Sequence, residues 1–178
     1  MKRFIALVVS LLCLGLAGVI IAGMAEMKET QYSGSKEFER MKTLAGAWEG
    51  STVMGKEEQK VRVEYRLTGG GSAIVETISP NTPHEMVTVY YDDNGKLTMT
   101  HYCALRNQPR MAIKSAGEKE LVFDFIGGSN IDPKKDAHMH ALTITFEDND
   151  HITQKWTLFE EGKEKGVTTF TLTRVKEK

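Results

Sequence analysis

The chain has 178 residues, with 23 basic and 24 acidic side chains, a formal net charge of −1 and 40% hydrophobic residues. Near-balanced charge gives no support for a nucleic-acid partner. The length suits a single domain with an adequate core, and the two cysteines do not suggest an intrachain disulfide, because one of them lies in the opening apolar run.

That run begins at once. Lys2 and Arg3 precede an uncharged stretch from Phe4 to Ala25 that contains Cys13. A short basic start followed by apolar residues reads as an export signal, with Gly23-Met24-Ala25 as the cleavage site. The stretch is also long enough to span a bilayer, so an uncleaved anchor is the alternative. Either way the basic residues stay inside and the rest of the chain is expected outside the cytosol, periplasmic or secreted. Cleavage after Ala25 leaves 153 residues, with 21 basic side chains against 24 acidic ones and Cys103 as the sole thiol. The expected organisation is therefore a signal or anchor over 1–25, a polar linker over 26–36 and one domain over 37–178. Membrane contact is expected only through the N-terminal segment.

Residues 26–36, "EMKETQYSGSK", have the polar, Gly/Ser-containing composition of a tether. Ser35 is placed to cap a short helix, in which Phe38, Met41 and Leu44 recur on one side. After Ala47 the pattern changes to period two. "KVRVEYRLT" puts Val61, Val63, Tyr65 and Leu67 on one face and charges on the other, the signature of a half-buried strand. Similar runs recur at 47–54, 72–79, 85–91, 96–104, 111–115, 121–126, 138–147, 151–160 and 164–175, separated by turn signals such as "GGG", "DDNG", "AGEK" and "DND".

About ten consecutive antiparallel strands must curl or pair, and closure removes the exposed edges. The expected fold is an all-β, up-and-down antiparallel barrel with a short N-terminal helix; a two-sheet sandwich is the alternative. Alternating strand directions send the tight turns to one end. The longer loops "SPNTPH", "LRNQPR" and "GGSNIDPKKDAHM" fall at the other, where ligand sites usually lie. By this rule His84, His101, His138 and His140 gather at the long-loop end, and His151 falls at the tight end.

At "LAGAWEG" the chain resembles a known superfamily. Gly46-Ala47-Trp48 is similar to the Gly-x-Trp that opens the first strand of lipocalins and their calycin relatives. The resemblance implies that a basic residue of the last strand packs over this tryptophan at the closed end. Arg174 of "TLTRV" is the candidate, for a structural contact of about 0.5–2 kcal/mol. The same stretch looks like the start of nitrobindin-type haem barrels, which have ten strands. The set "TPHEMV", "HYCALRNQPRM" and "DAHMHAL" resembles a group of exported bacterial proteins of no established activity.

Residues two apart on a strand share a face. His138 and His140 align with Leu142, Ile144 and Phe146, so both are expected to point inward. His101 aligns with Leu97, Met99 and Cys103, and Gln154 with Ile152, Trp156 and Leu158. The preferred reading is a pocket for a small amphipathic or anionic molecule, with no cofactor. His84, His101, His138, His140, Asn107, Gln108 and Gln154 would hold its polar end. Trp156 would line the apolar part with Met99, Leu142 and Phe146, and Arg106 and Arg110 would favour an anion. A second reading is a transition-metal site on His101, His138 and His140 with Asp136, Asp132 or His84, suited to metal-assisted hydrolysis. Haem is the other cofactor alternative. Thiol catalysis by Cys103 with His101 is disfavoured, because side chains two apart on a strand stand about 6–7 Å apart. In the plainest reading the histidines pin the longest loop to the rim and the barrel is a filled structural or interaction module.

Overall fold

A computed structural model of the chain describes residues 32–54 and 57–176. The expected signal or anchor over 1–25 and most of the expected linker lie outside the described residues. Among the described residues no helix is long and apolar enough to cross a membrane.

Residues 32–35 are tied to the domain. Ser35 donates through its backbone N (2.6 Å) and Oγ (2.7 Å) to the Asp92 carboxylate, and Lys42 Nζ reaches the Tyr32 carbonyl at 2.8 Å. Ser35 also caps the helix α1 (Lys36–Lys42), its Oγ accepting from the Phe38 amide. Phe38, Met41 and Leu44 are buried, as their spacing requires.

Ten strands follow: β1 (Gly46–Met54), β2 (Glu57–Thr68), β3 (Ala73–Ile78), β4 (Met86–Asp93), β5 (Lys96–Tyr102), β6 (Gln108–Ala116), β7 (Glu120–Ser129), β8 (His138–Phe146), β9 (His151–Glu160) and β10 (Lys163–Arg174). Each pairs antiparallel with its sequence neighbours, and β1 pairs with β10 to close the barrel. Closure satisfies the backbone groups of both terminal strands, which would otherwise present bare edges. At this seam Gly50 stands opposite Leu172, and a Cβ there would overlap the Thr171 carbonyl. The seam is that close only because residue 50 has no side chain.

Inward residues of all ten strands fill the interior, with Trp48, Val63, Ile74, Ile78, Tyr90, Leu97, Met99, Met111, Leu121, Phe123, Leu142, Ile144, Ile152 and Leu172 buried. The closed end is plugged by α1 and by Trp48, whose Nε1 donates to the Leu44 carbonyl at 2.8 Å. Trp48 and Arg174 are register partners, and the guanidinium carbon lies 4.3 Å from the tryptophan ring centroid. The open end carries the loops 79–85, 103–107 and 130–137.

One expectation is corrected. The β8–β9 ladder shifts between Met139 and Ala141, so His140 is an extra residue in a β-bulge. Met139 stands opposite Leu158 and shares the lining of the interior pocket with it, whereas His138 stands opposite Phe159. The bulge reverses the alternation: Met139 takes the inward position, and the two histidines do not line the interior.

Candidate functional site

Near the open end the packed interior leaves a pocket of about 240 Å³ lined by Ile78, Met86, His101, Cys103, Ala104, Leu105, Met139, Trp156, Leu158, Thr168 and Phe170. Through Ile78, Met86, Ala104 and Phe170 it borders a wider groove of about 450 Å³ that reaches His84 and Lys60 at the rim. The walls are aliphatic, aromatic and sulfur-bearing. The pocket's polar side chains are Thr168 and His101, and the His101 ring lies against Trp156 with centroids 4.6 Å apart.

Behind His101 runs a buried polar network joining β2, β3, β4, β5 and β9. Thr88 is the register partner of His101, and its Oγ1 lies 2.9 Å from His101 Nδ1. Thr88 is also the register partner of Glu76 on β3, which brings its hydroxyl beside the Glu76 carboxyl. Glu76 is fully buried and accepts from Tyr65 Oη at 2.7 Å, Tyr90 Oη at 2.9 Å and Gln154 Nε2 at 2.5 Å. Gln154 Nε2 also bonds the Tyr65 hydroxyl. Its Oε1 accepts from Trp156 Nε1 at 3.0 Å. Because an indole nitrogen only donates, that bond fixes which end of the Gln154 amide faces Glu76.

Burial dominates the electrostatics. It raises the Glu76 carboxyl above its ordinary range, and the bonds from Gln154, Tyr65, Tyr90 and Thr88 oppose that rise. Tyr65 and Tyr90 are pushed well upward, first by burial and then by the adjacent carboxyl, so both keep their O–H protons. Burial lowers His101 to about 4, which makes its ring neutral at ordinary pH. Burial also raises the Cys103 thiol, disfavouring the thiolate that nucleophilic catalysis needs.

His138 and His140 form a separate aromatic cluster. The β7–β8 register ends at Asp124 and Ala141, and just beyond it the two imidazoles meet Phe125 and Phe159. His140 stacks on Phe159 with centroids 3.9 Å apart, and His138 lies 4.7 Å from the Phe125 ring. His138 Nδ1 donates to the Asp136 carbonyl at 2.8 Å, which leaves Nε2 to accept from His140 Nδ1 at 3.1 Å. His140 Nε2 then faces Asp124 at 3.9 Å. The imidazole nitrogens thus bind each other and the loop backbone. The Asp136 carboxylate accepts from the Asp132 amide within its own loop. His101 belongs to the interior network instead, and among the described residues no three His, Cys, Asp or Glu side chains are grouped to hold a metal ion.

The remaining expected residues are dispersed. Asn107 is buried and donates to the Ala137 carbonyl at 2.8 Å, tying the β5–β6 turn to the long loop. Gln108 accepts from Asn130 at 3.1 Å. Arg106 occupies an exposed left-handed turn position, and Arg110 is exposed with Nη2 3.7 Å from the Asp93 carboxylate. Neither arginine lines the pocket. His101 and Trp156 do line it, and Gln154 stands directly behind Trp156. Sequence reasoning overlooked Glu76, Thr88 and Tyr90. The alternation Ile74, Glu76, Ile78 carries the signal for Glu76, a carboxylate at an inward position between two isoleucines.

No family model and no curated protein matches this sequence. Solved structures match in fold. The crystal structure of Rv2717c from M. tuberculosis superposes with a TM-score of 0.54 at 13% identity, covering 81% of this chain and all of that one. A protein of unknown function from the DUF3598 family of Nostoc punctiforme has a TM-score of 0.52 at 11% identity, covering 76% of this chain and 49% of that one. At such identities the likeness is one of barrel architecture.

Proposed function

We propose that this is a calycin-like barrel that binds a small, largely apolar molecule in the open-end pocket, between Trp156 and Met139. The observation that carries the proposal is an unfilled, apolar-walled space of about 240 Å³ in a barrel interior that is otherwise packed. Small-molecule sites combine apolar walls with few placed polar groups. The pocket walls have that composition, with His101 and Thr168 as the polar groups. An anionic head group finds less support, because Arg106 and Arg110 point their charge elsewhere. Export is part of the proposal and rests on Lys2, Arg3 and the apolar run to Ala25.

Calorimetric titration with small aromatic and aliphatic compounds, alongside Trp156 fluorescence, tests the binding. Saturable binding that is lost in Met139→Trp, a variant that fills the pocket, supports it. If no such compound binds or raises the melting temperature, the reading fails and the barrel is a structural module. Fractionation with N-terminal sequencing tests export; a cytosolic chain with an intact first residue would overturn it.

A further inference from the structure

We infer that the pocket selects ligands that carry a hydrogen-bond donor, because the buried network fixes His101 as the tautomer with a bare lone pair on Nε2. This inference rests on the pocket reading above and adds the chemistry of its polar contact.

Trp156 Nε1 can only donate, so the Gln154 atom it meets is the amide oxygen, and the Gln154 NH2 faces Glu76 and Tyr65. The Tyr65 oxygen accepts from that NH2, and its own proton goes to Glu76. Tyr90 also donates to Glu76. Three donors therefore converge on a carboxyl that serves best as an ionised, acceptor-only group. Thr88 stands opposite Glu76 in the β3–β4 register, and a hydroxyl beside an ionised carboxylate turns its proton toward it. Its oxygen is left to accept, and the neighbour at 2.9 Å is His101 Nδ1. The proton sits on Nδ1, and Nε2 carries the lone pair.

Nε2 meets no hydrogen-bond partner among the described residues. The enclosed side-chain polar atoms without partners are Thr52 Oγ1 and Asn107 Oδ1. His101 Nε2 is not among them, and the open space that the His101 ring borders is the pocket. A ligand N–H or O–H placed there satisfies an acceptor that burial has stripped of water. A ligand offering only an acceptor, or a carboxylate, meets a lone pair with a lone pair.

The test uses two isosteres, indole with its N–H and benzofuran with oxygen at the same position, titrated calorimetrically into the full chain, with benzoate as the anion. Indole should bind at least tenfold more tightly than benzofuran, and benzoate more weakly than either. His101→Phe should remove the difference between the isosteres; Thr88→Val, which breaks the relay without touching the pocket wall, should reduce it. Nitrogen NMR of histidine-labelled protein reads the tautomer without any ligand. His101 Nε2 should resonate as an unprotonated ring nitrogen. Equal binding of indole and benzofuran, or a protonated Nε2, overturns the donor inference and leaves the pocket standing. Failure of all three compounds to bind overturns the pocket reading, and the nitrogen signal still decides the tautomer.

Discussion

Arg174 closes the barrel floor over Trp48, and it does so with both its charge and its donors. The guanidinium lies 4.3 Å above the indole, and its three nitrogens reach the carbonyls of Asn149, Ala45 and Thr43 at 3.2, 2.8 and 2.8 Å. One side chain of the last strand thus holds the first strand, the segment after α1 and the β8–β9 turn. Arg174→Met should cost about 2–3 kcal/mol, from lost cation–π attraction and charge-assisted hydrogen bonds. Thermal unfolding should show a midpoint lower by about 5–10 °C. Arg174→Lys should recover only part of it, since an ammonium cannot serve the three carbonyls together. An unchanged midpoint in Arg174→Met would show that the floor is held by packing alone.

Glu76→Gln keeps shape and volume but replaces one acceptor oxygen with an NH2 directed at groups that already donate. With Tyr65, Tyr90, Gln154 and Thr88 all supplying protons, at least one donor pair is left in conflict. The expected loss is about 2–4 kcal/mol in urea unfolding. If the substitution is neutral, the native carboxyl carries a proton and the donor order is reversed.

His101 should impose a pH dependence of definite sign. Its folded value, about 4, lies below the ordinary 6.5, so between those limits the unfolded chain binds more protons than the native one. The stability it contributes is present above pH 6.5 and is lost as pH falls through that window to about 4, for a total of about 3–4 kcal/mol. Glu76 acts with the opposite sense to an ordinary buried ion pair. Its raised folded value makes its contribution fullest at low pH, and that contribution is lost as pH rises from the unfolded carboxylate range through the folded value. The two are separated by denaturant titrations at several pH values. His101→Phe should flatten the slope between pH 4 and 6.5, and a slope that persists would assign it to another group.

His138 should act on the rim and not on the barrel. Its Nδ1 holds the Asp136 carbonyl while Asn107 holds the Ala137 carbonyl. In His138→Ala, hydrogen exchange should quicken across residues 130–137, with core strands such as β4 and β5 unaffected, and indole binding should persist. Protection lost throughout the barrel would show that the histidine cluster supports the core.

The ten strands are legible in the sequence because runs of two-residue alternation recur between turns that carry Gly, Asn or Asp. The Trp48–Arg174 contact followed from a short resemblance and the strand count. What escaped was local. In "HMHAL" the letters alternate as a regular strand would, and an inserted residue leaves that pattern untouched. Only the cross-strand register shows that Met139, and not its flanking histidines, faces inward. The interior network is not signalled by the histidines, since His101 is only its outer member. The informative residue was Glu76, an acid where alternation demands an apolar side chain. Arg110 was placed by loop order, but exposed on its strand it pairs with Asp93 instead of crowning the mouth.

The seam between β1 and β10 has a kinetic consequence. Every other strand pair joins neighbours in the sequence, but this one joins Trp48 to Arg174 across nearly the whole domain. Loop closure of that span must be met before the seam yields any contact, so closure is the slow, high-contact-order step. Until β10 docks, the folding chain has nine strands and two open edges. The final strand is a latch, and until it arrives nine strands make a sheet and not a barrel.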